Sequence, residues 1–204
     1  MATLQLALDA LGQQLPEGST ERLAMLLSEL ERWNRKVNLT AVRDRAQMVT
    51  LHVQDSLVAR RFLAGRQILD VGCGPGFPGL PLAIVEPERE FTLLDSNNKK
   101  IMFVQHVAGL LDLDNVTAVK GRGEDYAPGH RFDTVIARAL AATPRLVEIA
   151  GHHVREDGVF VALKGRYPVE ELEELTTPWS HEVKALHVPG LEEGSRHAVL
   201  LRRT

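Results

Sequence analysis

Apolar residues recur at helical spacing through the first third of the chain and then give way to short, strand-like runs. Leu4, Leu8 and Leu11 share one helical face, which Pro16-Glu17-Gly18 interrupts. Leu23, Leu26, Leu27, Leu30, Trp33 and Val37 then follow the spacing of a helix that buries one stripe. The pattern predicts a helix capped by Ser19 or Thr20 and ended by Asn38-Leu39-Thr40, with another helix over 49–62. From Gln67 the texture alternates. Strands are expected at 67–71, 90–94, 115–119, 132–136 and 158–163, and helices at 78–85, 97–111, 142–153 and 168–175. Such alternation implies a mainly parallel wound sheet with helices on both faces. Residues 183–188 and 196–201 read as two more strands, and the segment 189–195 between them is too short for a helical crossover, so they should pair as an antiparallel hairpin. The expected division is an N-terminal helical extension, 1–63, and an α/β domain, 64–204.

The stretch Ile68-Leu69-Asp70-Val71-Gly72-Cys73-Gly74-Pro75-Gly76-Phe77-Pro78-Gly79 carries the most chemistry. An apolar strand that runs through glycines into a helix brings backbone close to a nucleotide-like ligand. Gly74 to Gly79 even satisfies the dinucleotide pattern G-x-G-x-x-G. A dinucleotide, however, sets its anionic pyrophosphate at the helix N-terminus, where the strand-end carboxylate of Asp70 would repel it. Asp70 suits a ligand with positive charge there, as in S-adenosylmethionine, which has a sulfonium and an ammonium group and no phosphate. Phe91–Asp95 reads as a second strand ending in an acid, placed to accept hydrogen bonds from ribose hydroxyls. Asp70, Asp95, Glu124 and Arg138 all fall just after expected strand ends and should converge at the carboxyl edge of the sheet.

Composition narrows the picture. At 204 residues with 44% apolar content, the chain is long enough for one domain with a sizeable core. A single cysteine, Cys73, rules out an intramolecular disulfide and suits a reducing cytoplasm. The spacing of Cys and His indicates no metal site, and no apolar run reaches membrane-spanning length. A monomer without a membrane partner is expected. The net charge of −3 points to no partner by itself, but its distribution does. Arg32, Arg35, Lys36, Arg43, Arg45, Arg60, Arg61 and Arg66 face only Asp44 and Asp55 between residues 32 and 66. A basic segment ahead of a cofactor loop suggests a polyanionic substrate, with Arg35, Lys36, Arg43 and Arg45 as the RNA-contacting candidates. The acidic run Glu170, Glu171, Glu173 and Glu174 reads as a solvated helix face.

Methyl-transfer chemistries can be sorted by what is missing. Enzymes acting on exocyclic amines carry an Asn/Asp/Ser-Pro-Pro-aromatic segment after the fourth strand, where this chain has Ile136-Ala137-Arg138-Ala139-Leu140. Cytosine C5 chemistry needs a cysteine nucleophile on a later loop. What remains is Arg138 after strand four and Lys164-Gly165-Arg166 after strand five. These suit an acceptor that is already nucleophilic, such as guanine N7, with Arg138 and Lys164 as the catalytic candidates. The bland alternatives are an ion pair of Arg138 with Asp133 or Glu124 and a solvated loop end for Lys164. A small-molecule methyltransferase, a non-catalytic RNA-binding factor and an NAD enzyme stay open on residue chemistry alone.

Several segments together resemble the RsmG family of bacterial 16S ribosomal RNA guanine-N7 methyltransferases, also called glucose-inhibited division protein B. They are Trp33-Asn34-Arg35-Lys36-Val37-Asn38-Leu39-Thr40, His52-Val53-Gln54-Asp55-Ser56, Asp70 to Ile84, Gly121-Arg122-Gly123-Glu124, Arg138-Ala139, Leu163-Lys164-Gly165 and Gly194-Ser195-Arg196. The resemblance implies a class I, Rossmann-like S-adenosylmethionine-dependent methyltransferase fold with an N-terminal helical extension. It also implies a guanine in the decoding-region hairpin of the small subunit's RNA as substrate, with the small ribosomal subunit or its assembly intermediate as partner. By resemblance Gly72, Phe77, Gly123, Glu124 and Arg138 match cofactor positions, and Asp70, Gly74 and Asp95 join them on the strand-end argument.

Overall fold

A computed structural model describes residues 2–175, 178–192 and 195–204. Its centre is a seven-stranded sheet in the order β3-β2-β1-β4-β5-β7-β6. The strands are β1 Gln67–Val71, β2 Glu90–Asp95, β3 Val116–Lys120, β4 Phe132–Arg138, β5 Val154–Lys164, β6 Trp179–Ala185 and β7 His197–Arg203. The first five pair in parallel, and β7 inserts antiparallel between β5 and β6. The helices are α1 Ala2–Ala10, α2 Ser19–Asn34, α3 Arg45–Met48, α4 Asp55–Leu57, α5 Gly79–Val85, α6 Asn98–Leu110, α7 Thr143–Ala150 and α8 Val169–Glu173. Among the described residues no helix is long and apolar enough to cross a membrane.

Alternating side chains of the strands feed two cores. Ile68, Leu93, Ile136 and Val161 point to one face, where Leu23, Leu27 and Leu30 of α2 and Phe103 and Val107 of α6 cover them. Leu69, Leu94, Val135 and Phe160 point to the other, against Leu146 and Ala150 of α7. Every second residue changes face because the strand period is two. The N-terminal helices therefore share one apolar core with the sheet, so the first sixty residues are packed against the α/β body. Phe103 is completely buried at that junction, and truncating such a ring typically costs about 3–5 kcal/mol.

The N-terminal elements depart from their expected boundaries for local reasons. The N-cap of α2 is Gly18 at φ 77°, without a side-chain bond. Ser19 is the first helical residue and is buried, so neither hydroxyl supplies the expected cap. The helix stops at Asn34 and does not reach Asn38. The Asn34 amide accepts from Leu39 N–H at 2.8 Å and Thr40 N–H at 3.1 Å, and donates to the Thr40 carbonyl at 3.0 Å. A side chain that makes three hydrogen bonds to the following loop in this way competes with the helix and ends it. Between α3 and α4 the backbone widens into a π-helix, Val49–Gln54, a local irregularity often found where a helix must aim side chains at a site.

The order of the parallel strands reverses between β1 and β4, so the loops after these strands diverge and leave a crevice at the carboxyl edge. The candidate site lies there.

Candidate active site

A cleft of about 940 Å³ opens over the ends of β1, β4 and β5, and a second cavity of about 140 Å³ lies beside it over the end of β2. Gly72, Asp95 and Leu140 border both. Leu140 is 41% exposed and stands against Gly72: a Cβ on Gly72 would lie 2.8 Å from the Leu140 side chain, and Gly72 itself is at φ 68°. The left-handed backbone favours glycine here, and a Cβ would push the exposed Leu140 side chain aside. The residue before the divider, Ala139, has φ 50°, a left-handed conformation that an L side chain adopts at a cost.

The loop after β1 is held from below. Asp70 is completely buried, and its Oδ2 accepts from Gly79 N–H at 2.8 Å. Its Oδ1 has no hydrogen-bond partner among the described residues. Burial pushes the Asp70 carboxyl up to about 7, only partly opposed by the Gly79 bond and the nearby Arg138 charge. The group thus lies beneath the loop and acts on the cleft through the backbone it anchors and through its field, without lining the cleft. Asp95 ties the other side: Oδ2 accepts from Gly74 N–H at 2.9 Å and Oδ1 from Asn97 N–H at 2.7 Å. Each oxygen keeps a second lone pair toward the cavities it borders. Cys73 is buried, and burial drives its thiol pKa well up, so it is no nucleophile.

The smaller cavity is lined by Gly121, Gly123 and Glu124. The Gly123 carbonyl is 2.9 Å from His153 Nε2, and a Cβ on Gly123 would meet Ile149 at 2.6 Å. His153 has no signature in the sequence near that loop. Glu124 pairs with Arg145 at 2.9 Å.

The opposite wall comes from the π-helix. His52 stacks on Phe77, with centroids 4.6 Å apart and planes at 19°, and its Nε2 lies 3.1 Å from Thr40 Oγ1. Burial, reinforced by Arg138, lowers its pKa to about 4, so the ring is uncharged near neutrality. Phe77 is 2% exposed beneath this stack, with the Arg138 guanidinium 5.8 Å from its centroid. Asp55 receives two arginines: Arg138 Nη1 at 3.0 Å on Oδ2 and Arg196 Nε at 2.8 Å on Oδ1. Arg138 also donates to the Leu51 carbonyl at 2.7 Å. Its ion pair is therefore with Asp55, because Asp133 is taken by Arg155 and Glu124 by Arg145. Asp55 and Arg196 are cleft residues that residue chemistry alone did not assign a role.

Lys164 ends β5 directly across from His197 of β7. Its side chain is only 10% exposed and pairs with Glu171 at 2.6 Å, which excludes a solvated loop end. Glu171 correspondingly leaves the solvated face expected of its helix. Arg138 and Lys164 line the same cleft, as adjacent strand ends should, together with Lys100, Arg166 and Arg196. Among the described residues, five cations thus face three carboxylates, those of Asp55, Asp95 and Glu171. The cleft favours an anionic or acceptor-rich molecule.

The basic N-terminal candidates separate into two kinds. Arg45 is engaged with Glu31 at 2.6 Å and with the Ala24 carbonyl at 3.1 Å, and Arg43 clasps the Asn34 carbonyl and Asn38 Oδ1, both at 2.9 Å. Arg35 and Lys36 are exposed. Gly194, from the last segment of the resemblance, lies outside the described residues.

The family model GidB, described as rRNA small subunit methyltransferase G, matches residues 19–199. The chain is 45% identical over 197 residues to the ribosomal RNA small subunit methyltransferase G of Idiomarina loihiensis, covering 96% of this chain and 95% of that one. It is 41% identical over 204 residues to the protein of the same name from Psychromonas ingrahamii, covering 100% and 98%. Among solved structures, the glycopeptide N-methyltransferase MtfA complexed with S-adenosyl-L-methionine superposes with a TM-score of 0.63 at 13% identity, covering 75% of this chain and 87% of that one. A Pyrococcus abyssi tRNA (uracil-54, C5)-methyltransferase with S-adenosyl-L-homocysteine superposes with a TM-score of 0.56 at 19% identity, covering 79% and 39%.

Proposed function

Because the chain belongs to the rRNA small subunit methyltransferase G family, we propose that it transfers the methyl group of S-adenosylmethionine to N7 of a guanine in the decoding-region hairpin of 16S ribosomal RNA. The cofactor would lie along the two cavities that meet at Gly72. Its charged methionine end would sit over the Gly72–Gly74 backbone, its ribose against Asp95 and its base toward Gly123 and Glu124. The bound group supplies an electrophilic methyl carbon. The chain supplies placement.

One observation carries the choice of acceptor: each carboxylate that lines the cleft already accepts from donors of the chain. Asp55 and Asp95 hold arginines and backbone, and the His52 ring is a weak base. Burial alone would raise the Glu171 carboxyl, but hydrogen bonds from Lys164 and Thr143 outweigh it and leave the group below its ordinary value. An acceptor that must lose a proton is poorly served here, whereas guanine N7 presents a lone pair at neutral pH. Catalysis then rests on proximity and alignment, worth about 7–11 kcal/mol in favourable cases. The cleft cations Arg138 and Lys164 would orient the base through its oxygen.

The test is product mapping with synthetic hairpin RNA. Wild-type enzyme should methylate the target guanine, and replacement of its N7 by carbon (7-deazaguanine) should abolish transfer. With cofactor and RNA saturating, the single-turnover rate should stay flat from about pH 6.5 to 8.5. A log-linear rise with slope near one would overturn the base-free reading and show that a proton is lost before methyl transfer.

The RNA itself would be gripped in part by Arg35 and Lys36. In the double variant Arg35→Ala with Lys36→Ala, each lost phosphate contact should shrink the slope of log affinity against log salt by roughly 0.7 on single strands and 0.9 on duplex. S-adenosylmethionine affinity should not move. Filter binding across a salt series checks this, and an unchanged slope would place the grip elsewhere.

A further inference from the structure

Glu171 has one oxygen fully used and one free. Its Oε2 accepts from Lys164 Nζ at 2.6 Å and from both the N–H and Oγ1 of Thr143 at 2.7 Å. Three donors on a single oxygen fix the side chain. Oε1 makes no hydrogen bond among the described residues, and the side chain, 30% exposed, lines the large cleft. Lys164 donates a second hydrogen to the Ala141 carbonyl at 2.9 Å, and an ammonium has a third to give. A fixed acceptor and a fixed donor thus stand side by side at the acceptor end of the cleft.

Guanine presents the matching row: N2–H and N1–H as donors, then O6 as acceptor, then N7 around the corner. We propose that Glu171 and Lys164 read the target base together, with Oε1 accepting from N1–H and N2–H, the ammonium donating to O6, and N7 left bare toward the methyl group. The proposal rests on the guanine-N7 reading above. It explains why a lysine with a catalytic placement is tied to a carboxylate: the pair is nearly neutral, so it selects by pattern more than by charge. Adenine would turn its N1 lone pair on the carboxylate and its amino group on the ammonium. Such mismatched buried polar groups are what give a site strong discrimination.

The experiment pairs Glu171→Gln with a target RNA in which the guanosine is replaced by inosine, which lacks only the N2 amine. Wild type should lose about 10- to 100-fold in kcat/KM on inosine, the loss expected when a hydrogen bond to a charged group goes. The Gln variant keeps an oxygen for Thr143 and Lys164 but turns a donor toward the base. It should lose a similar factor on guanosine, show no further loss on inosine, and bind S-adenosylmethionine as wild type does by calorimetry. Equal kcat/KM of wild type on both RNAs would overturn the proposal even if the variant failed to fold. So would a Gln variant that discriminates as well as wild type. Product mapping of the wild-type reaction keeps the premise separate: methylation of guanosine away from N7 defeats the function proposed above, whereas N7 methylation with either adverse result defeats only this assignment.

Discussion

Replacing Lys164 by alanine should lower turnover by about 10²- to 10³-fold, the loss typical when one preorganised donor is removed from a water-excluded site. S-adenosylmethionine affinity should change by less than about threefold, because Lys164 closes β5 and touches neither the loop after β1 nor Asp95. Single-turnover kinetics and calorimetry on the same preparation separate the two quantities. The variant also releases Glu171 from its cation while leaving it on Thr143. A variant with full turnover would return Lys164 to a purely structural role.

The second large effect belongs to Asp70 and has two parts of opposite sign. Asp70→Ala removes the anchor of Gly79 N–H and the negative field beneath the cleft, and should weaken S-adenosylmethionine by roughly 1.5–3 kcal/mol. Stability behaves differently. The folded carboxyl titrates at about 7 against an ordinary 3.8 because burial disfavours its charge. Between those values the unfolded chain has released the proton and the folded chain retains it. Stability therefore falls as pH rises from about 4 to 7, and stays reduced above. Asp70→Asn keeps an acceptor for Gly79 but cannot ionise. It should raise the melting temperature of the cofactor-free protein at pH 8, by about 2–4 °C for each kcal/mol recovered in a chain of this size. The same variant should bind the cationic cofactor more weakly and with a flatter pH dependence than wild type. Thermal melts and calorimetry at pH 6 and pH 8 check both signs, and a less stable Asn variant at pH 8 would show that the carboxylate charge is already compensated in the fold.

Much of the fold was legible because the central parallel strands β1 and β4 are buried on both faces. β1 occupies the residues 67–71 marked by its apolar run, and the glycine loop follows where the pattern places it. The last hairpin shows where such reading fails. Its first strand was expected at 183–188 and lies at Trp179–Ala185. Leu186 and Val188 are apolar because, as coil, they plug the core beneath the N-terminal helices. The true strand is an edge, exposed enough to carry Ser180, His181 and Glu182. The site was legible in the same uneven way. Strand-end residues such as Asp95, Arg138 and Lys164 could be placed because topology alone brings strand ends together. The partners that decide their behaviour could not: Asp55 arrives from a π-helix, Glu171 from a helix whose composition reads as solvated, and His153 from behind Gly123. Contacts of this kind depend on how layers dock, which no local pattern encodes.

The Asp55 carboxylate joins residues 83 and 141 positions away along the chain, Arg138 and Arg196. That span has a consequence for synthesis. A chain emerging from the N-terminus presents the glycine loop early, and Arg138 can reach Asp55 once β4 has paired. Arg196 arrives only with β7, the strand that must slide in beside β5 as the last piece of the sheet. Until then Asp55 holds one arginine where the finished enzyme holds two, and the wall facing Lys164 lacks His197. That wall of the cleft therefore cannot be completed until residues 196–203 have been synthesised. A nascent chain can build its glycine loop well before the opposite wall of the cleft is complete.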